Sequence, residues 1–209
     1  MSDTVTVIGR GKAGRALAQA LRVPNLPHGS TPEGLVLLAA PDHAIEAAAQ
    51  PFVGRCAHLS GSLHLDKVPA AHPLTSFDGT VQDWSGTPLA LTGTVPAGIV
   101  QALTGLGFAP FDLPAEHKPL YHAAAVMTSG HVATMLLAAQ DVLQQAGVQL
   151  PGEGLWPLAQ ATLQNIKTRG PAGRTGPFVR QDEATIARDR EALPERWQKL
   201  FEDVGRSLD

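Results

Sequence analysis

A single cysteine, a single tyrosine and three tryptophans are all that these 209 residues hold of those types. With Cys56 alone, an intrachain disulfide and a zinc site built on cysteines are both impossible, and a reducing, cytoplasmic setting is expected. No stretch reaches the roughly 18 consecutive apolar residues of a membrane helix, and Met1, Ser2, Asp3 and Thr4 lead into an apolar run without a basic leader, so neither membrane insertion nor export is expected. Charge of one sign is also scarce. Sixteen Lys and Arg against nineteen Asp and Glu give a formal −3, which offers no bulk attraction to nucleic acid. The remainder, 44% hydrophobic and 17% charged, is ordinary globular composition at a length suited to one or two domains. A small molecule is the expected partner.

Residues 4–9, Thr-Val-Thr-Val-Ile-Gly, are β-branched and end at glycine, which predicts a short buried strand. Residues 12–22 then take on helical composition, with Ala13, Leu17, Ala20 and Leu21 on one face. A second apolar run at 35–40 lies between Gly34 and Pro41, and helix resumes over 42–50 from a possible Asp42 cap. Further strands are predicted at 56–59, 87–91 and 107–111, with a helix near 96–105, giving a mostly parallel sheet covered by helices. After Asp112 the texture changes: 119–146 is a long Ala/Leu/Val-rich helix, ended by Gly147 or Gly152. Helices at 154–168, 182–192 and 194–207 follow, with a glycine and proline loop from Arg169 to Pro177 among them.

Gly9-Arg10-Gly11-Lys12-Ala13-Gly14 matches G-x-G-x-x-G directly after the first strand and at the opening of the first helix. Gly9 can make the tight turn, Gly11 lets backbone approach a pyrophosphate, and Gly14 lets the helix pack on the strand. The free N–H groups of the helix start would face the phosphates. The acid expected about 20 residues on, to hold ribose hydroxyls, is not evident. Only Val23 to Gly34, with three prolines, separates the helix from the 35–40 run, too little for a strand, helix and strand. Either 35–40 is the second strand and Asp42 the ribose acid, or Glu33 serves by spacing. Arg10, with Ser30 and Thr31, would instead suit the extra phosphate of NADP, so NADP(H) is favoured over NAD(H).

With these pieces the sequence resembles the Rossmann-like proteins that carry a C-terminal helical domain of unknown function, number 2520, a group of NADP-dependent oxidoreductases by assignment. More distantly it is similar to 6-phosphogluconate dehydrogenase and pyrroline-5-carboxylate reductase. The resemblance rests on the glycine turn, residues 40–45 (Ala-Pro-Asp-His-Ala-Ile), 58–62 (His-Leu-Ser-Gly-Ser), 72–74 (His-Pro-Leu), 121–125 (Tyr-His-Ala-Ala-Ala), and Thr175-Gly176-Pro177 followed by Arg180 and Asp182. It implies that 35–40 is the fourth strand of a Rossmann domain, with Pro41 and Asp42 near the cofactor, and that the second strand and its helix are cut down. Ser129 departs from the pattern, since relatives are expected to carry asparagine there. The expected fold is thus an α/β Rossmann-like domain over 1–112, truncated around its second strand, followed by an all-α domain over 113–209 for substrate and dimerisation.

Ligands in such folds bind at the carboxyl ends of the strands. Residues 41–43, 58–62 and 72–75 therefore form the candidate cleft, with Pro41, Asp42, Ser60 and Gly61 toward the cofactor and Ser62, His72 and Arg180 toward the substrate. Tyr121, Ala125 and Ser129 recur at helical spacing beside His122. Hydride transfer to a C=O or C=N group needs a proton donor, and the candidates are His122, Tyr121, Lys118 and Ser129, with His favoured because imidazole ordinarily titrates near neutrality. Among eight histidines no H-x-x-x-H pair or H-E-x-x-H motif occurs, so no metal is expected. The long apolar helix suggests packing between two copies, a homodimer. The leading expectation is an NAD(P)-dependent oxidoreductase acting on a small, anionic substrate. The alternative is a nucleotide-binding or regulatory protein that kept the fold and lost efficient redox chemistry.

Overall fold

The computed structural model describes residues 4–207. Residues 1–3, read above as free of a basic leader, lie outside them. Strand β1 (Val5–Ile8) is buried throughout, as its β-branched run requires, and Gly9 passes the chain into helix α1 (Lys12–Leu21). Strand β2 (Asn25–Leu26) and strand β3 (Leu35–Leu38) follow, then helix α2 (Asp42–Ala49), strand β4 (Cys56–His58) and strand β5 (Ala70–Pro73). Strand β6 (Pro88–Thr92), helix α3 (Ala97–Thr104) and strand β7 (Ala109–Asp112) complete one sheet in the order β2-β1-β3-β4-β5-β6-β7. All neighbours pair parallel except β5 with β6.

Both faces of the central strands are dry, which is why β3 reads as a continuous apolar run and why Thr6 of β1 is buried with its neighbours. Val7, Leu37, Ala57 and Leu89 pack with Leu17 of α1 and with Ile99 and Leu103 of α3. Ile8, Val36, Leu38 and Cys56 turn the other way, onto Ala49, Phe52 and Val68. Each such fully buried aliphatic side chain is worth roughly 1.5–3 kcal/mol of transfer free energy.

The short β2 explains the missing piece. Val7 N–H donates to Pro24 O and Gly9 N–H to Leu26 O, but Pro27 has no N–H to continue the ladder. An eight-residue connection, 27–34, then returns the chain to β3 on the opposite side of β1. In dinucleotide-binding order β2 holds the second position and β3 the fourth, so the domain is Rossmann-like and truncated around its second strand. This corrects the reading of 35–40 as the second strand with Asp42 as a ribose acid: Asn25–Leu26 is that strand, and Asp42 lies beyond the other neighbour of β1. Nor does Asp42 cap α2, whose N-cap is Pro41.

The chain divides into two compact units, 1–129 and 130–209. The sheet ends at Asp112, where the texture of the sequence turns helical, and the first unit continues through helix α4 (Lys118–Val126) into a π-helical turn over Met127–His131. The second unit holds helix α5 (Val132–Gln145), helix α6 (Trp156–Arg169), helix α7 (Glu183–Ala192) and helix α8 (Glu195–Arg206). Gly147, at φ +72°, follows the end of α5, the ordinary use of glycine past a helix C-terminus. The predicted loop 169–177 contains a 3-10 turn, Gly170–Gly173, in which a Cβ at Gly173 would stand 2.3 Å from Asn165 O.

Candidate functional site

The carboxyl ends of β1, β3, β4 and β5 open on one edge of the sheet, and the segments leaving them line a cleft of about 410 Å³. From the glycine turn come Gly11, Lys12, Ala13 and Gly14; after β3 come Pro41 and Asp42; after β4 come Ser60, Gly61 and Ser62. His72 of β5 and His122 of α4 close the list of predicted residues that line it.

The three glycines differ in what a side chain would meet. A Cβ at Gly9, where φ is +120°, would stand 2.1 Å from Ala39 O, and one at Gly14 would stand 1.8 Å from Gly9 O. Those two glycines are demanded by the close packing of β1, α1 and the end of β3. A Cβ at Gly11 would meet nothing within 4 Å. Gly11 is the N-cap of α1, no side chain caps that end, and no acidic residue occupies the first turn. The cradle a Cβ would fill is therefore open to the cleft, with unspent helix N–H groups beside it. A pyrophosphate fits that donor set. Arg10 and Lys12 are exposed at the rim, and Arg15 Nη1 donates to Arg10 O at 3.3 Å.

Polar contacts knit the segment after β4 into one arrangement. Ser60 N–H donates to His58 Nδ1 at 3.2 Å, and Ser60 Oγ accepts from the N–H groups of Ser62 (3.3 Å) and Leu63 (2.9 Å). Ser62 Oγ donates to Asp42 Oδ2 at 2.6 Å. Lys118 Nζ, on a side chain only 1% exposed, donates to Ser60 O at 3.0 Å. The hydroxyls proposed from sequence as ligand donors are thus engaged within the loop and with Asp42. Gly61 lies against two rings: a Cβ there would be 2.8 Å from both His122 Nδ1 and His72 Nε2. His72 Nδ1 meets Tyr121 Oη at 2.9 Å, while His122 Nδ1 and His58 Nε2 are buried without a protein partner.

Burial sets the charge states. It holds the His58 and His72 imidazoles down to about 4, with the Lys118 ammonium adding to the effect and Asp42 opposing it. Burial also draws the Lys118 amine down to about 8, again against Asp42, and pushes the Tyr121 phenol up to about 12. For Asp42 burial acts to raise the carboxyl, but hydrogen bonds from Ser62 and Ser60 and the nearby His58 and His122 rings outweigh it and leave it below the ordinary range. Among the described residues no three His, Cys, Asp or Glu side chains group so as to hold a metal ion.

Two further predicted residues have contacts of their own. Ser129 is exposed in the π-helical turn, and its Oγ donates back to Ala125 O at 2.7 Å. Arg180, in the second unit, is exposed ahead of α7, its N–H on Gly176 O at 3.4 Å. His58 and Leu59 enter the candidate cleft in the sequence only as members of 58–62, and Ala39, which lines it with Leu59, is not singled out there. Their signal is positional, since each ends or follows a predicted parallel strand.

Residues 89–208 match the family described as a domain of unknown function, DUF2520. The chain belongs to that family. No curated protein matches it. Among solved structures this DUF2520 chain is similar to the Bacteroides fragilis protein BF3122, provisionally named an NADP oxidoreductase, with a TM-score of 0.79 and 19% identity over 98% of this chain and 96% of that one. It is similar to TM1727 of Thermotoga maritima, with a TM-score of 0.74 and 20% identity over 98% and 96%. An imine reductase of Myxococcus stipitatus in complex with NADP+ gives a TM-score of 0.63 and 13% identity over 98% and 93%. These likenesses establish a shared fold.

Proposed function

We propose that the chain is an NADP(H)-dependent oxidoreductase that moves hydride to or from a small, anionic substrate carrying a C=O or C=N group. The observation that carries this reading is the open cradle at Gly11, continuous along one cleft with the His122 ring. NADP is favoured over NAD because β2 ends at Leu26 and is followed by Pro27 and His28 with no carboxylate, while Arg10, Ser30 and Thr31 lie in the flanking turns. The names of BF3122 and of the imine reductase support the same chemistry for this chain by analogy of fold.

In this reading the backbone N–H groups of residues 11–14 hold the pyrophosphate, and Pro41 and the Ser60–Ser62 segment wall the cofactor. The bound nicotinamide supplies or accepts the hydride. The His122 ring, which lines the cleft, gives the proton to the substrate oxygen or nitrogen in reduction and takes it back in oxidation. His72 contacts the substrate from the facing side, and Tyr121 acts through His72.

A second reading, a nucleotide-binding regulatory protein, is favoured by one feature, the two-residue β2 that shortens the adenosine side. Titration with NADPH and with NADH, followed by nicotinamide fluorescence, separates the readings. Enhancement with NADPH at lower concentration than with NADH, together with NADPH oxidation in the presence of a keto acid or imino acid panel, supports the oxidoreductase. Binding without turnover of any member supports the regulator, and no binding of either nucleotide overturns both.

We also propose a homodimer. Leu137, Leu158 and Leu163 stand exposed on α5 and α6, neither of which buries a residue. The stretch Ala115–Gln145 is by length and composition apolar enough to cross a membrane. Gln140, Gln144 and Asp141 on α5 and Gln160, Gln164 and Asn165 on α6 speak for a protein cover rather than lipid.

A further inference from the structure

We infer that Lys118 and Tyr121 are positioning residues that together hold His72 as an uncharged imidazole with its Nε2–H directed into the cleft. This rests on the reading of the cleft as a hydride-transfer site.

Tyr121 is the chain's one tyrosine, and its Oη lies 2.9 Å from His72 Nδ1, with the two rings edge to face at 5.5 Å. A phenol is the more acidic partner and an imidazole nitrogen the more basic, so the O–H donates and Nδ1 accepts. Burial reinforces that polarity by keeping the phenol protonated to about 12. With Nδ1 accepting, the ring hydrogen of a neutral His72 sits on Nε2. That atom and His122 Nδ1 each lie 2.8 Å from where a Gly61 Cβ would be, and both rings line the cleft.

Lys118 supplies the other half. Its buried Nζ is fixed on Ser60 O, the carbonyl of the peptide that leads into Gly61. A cation held there penalises a second positive charge on His72. The groups that face His72 are Lys118 and His122, which disfavour its protonation, and Asp42, which favours it but is engaged by Ser62. Burial and the ammonium prevail, and the ring titrates near 4. Lys118 thus acts without entering the lining of the cleft. Its effect is to make the two imidazoles unlike: His72 offers a hydrogen-bond donor of fixed direction to an acceptor atom of the substrate, and His122 is left to exchange the proton.

Imidazole ¹H–¹⁵N correlation spectra of the full chain without nucleotide test this, with His72 assigned from the signals lost in His72→Gln. At pH 7 His72 is expected as the neutral Nε2–H tautomer. Tyr121→Phe is expected to mix the two tautomers. Lys118→Met should raise the His72 titration midpoint by about one unit, and Lys118→Arg should restore it. If Lys118→Met does not fold, the wild type carries the same information, since His72 signals should shift again near pH 8 as Lys118 loses its proton although the ring is already neutral. A charged ring or an Nδ1–H tautomer at pH 7 overturns the inference, as does an unmoved midpoint in folded Lys118→Met or the lack of that second inflection. These spectra need no cofactor, so failure of the NADP reading leaves their outcome unchanged.

Discussion

Glycine serves two different purposes within the six residues of the glycine turn, and they separate by substitution. Gly9→Ala and Gly14→Ala press a Cβ into backbone at 2.1 and 1.8 Å, so each is expected to cost at least about 3 kcal/mol in urea unfolding. His122→Ala is expected to lower turnover about 100-fold or more while NADPH affinity changes little, as single-turnover and binding measurements on one sample would show. A variant with wild-type turnover removes His122 from proton transfer. The glycines were legible in the sequence because their spacing is local to one turn, although Ala39, which Gly9 and Gly14 lie against, comes from the end of β3. The pairing of His72 with Tyr121 and of Lys118 with Ser60 was not, because 49 and 58 residues separate the partners and only the sheet order brings them together.

The same residues set an acid limit. His58 and His72 are held near 4 in the fold and return to about 6.5 when it opens, so the unfolded chain takes up protons between those values and the folded chain does not. Stability is therefore fully present above pH 6.5 and falls as the pH drops toward 4, by on the order of 3 kcal/mol for each ring. Urea unfolding at pH 7.5 and 4.5 should show this loss in the wild type and a smaller loss in His58→Gln. Equal stability at the two pH values would contradict the buried, neutral state of the rings.

At the scale of elements, legibility followed periodicity and length. The runs that became β1 and β3 are β-branched or apolar because both faces are covered; α1, α3, α7 and α8 fall within their predicted spans, and α6 passes its own by one residue. Strand β5 was not predicted: Ala-Ala-His-Pro has little β propensity, begins after Pro69 and ends in proline, and it exists because β4 and β6 supply partners on both sides. Strand β2 is two residues caught between prolines. Ser129 would share a face with Tyr121 only on an unbroken α-helix, whereas Met127–His131 is a π-helical turn that changes the angle per residue. Where a cap is present its worth can be read: Asp182 Oδ1 accepts from Thr185 N–H at 3.1 Å, and Asp182→Ala should lower the unfolding free energy by about 1 kcal/mol.

For the whole molecule, core is unevenly distributed. The sheet unit buries both faces of its strands, whereas α5, α6 and α8 bury no residue and α7 buries only Ile186. A stable 80-residue helical unit needs more apolar cover than that. Light scattering is expected to give twice the chain mass, and Leu137→Glu with Leu163→Glu should give the single mass or loss of solubility. A monomeric wild type that floats with lipid vesicles would instead assign the apolar helices to a membrane.

Whether the first helix N-terminus receives a pyrophosphate is tested at Gly11, because the fold has room for a side chain there and a bound nucleotide would not. The NADPH dissociation constant, read by nicotinamide fluorescence for wild type and Gly11→Val at matched urea midpoints, is expected to rise at least about 100-fold in the variant, or some 2.7 kcal/mol. Equal affinity in the two proteins would contradict the site.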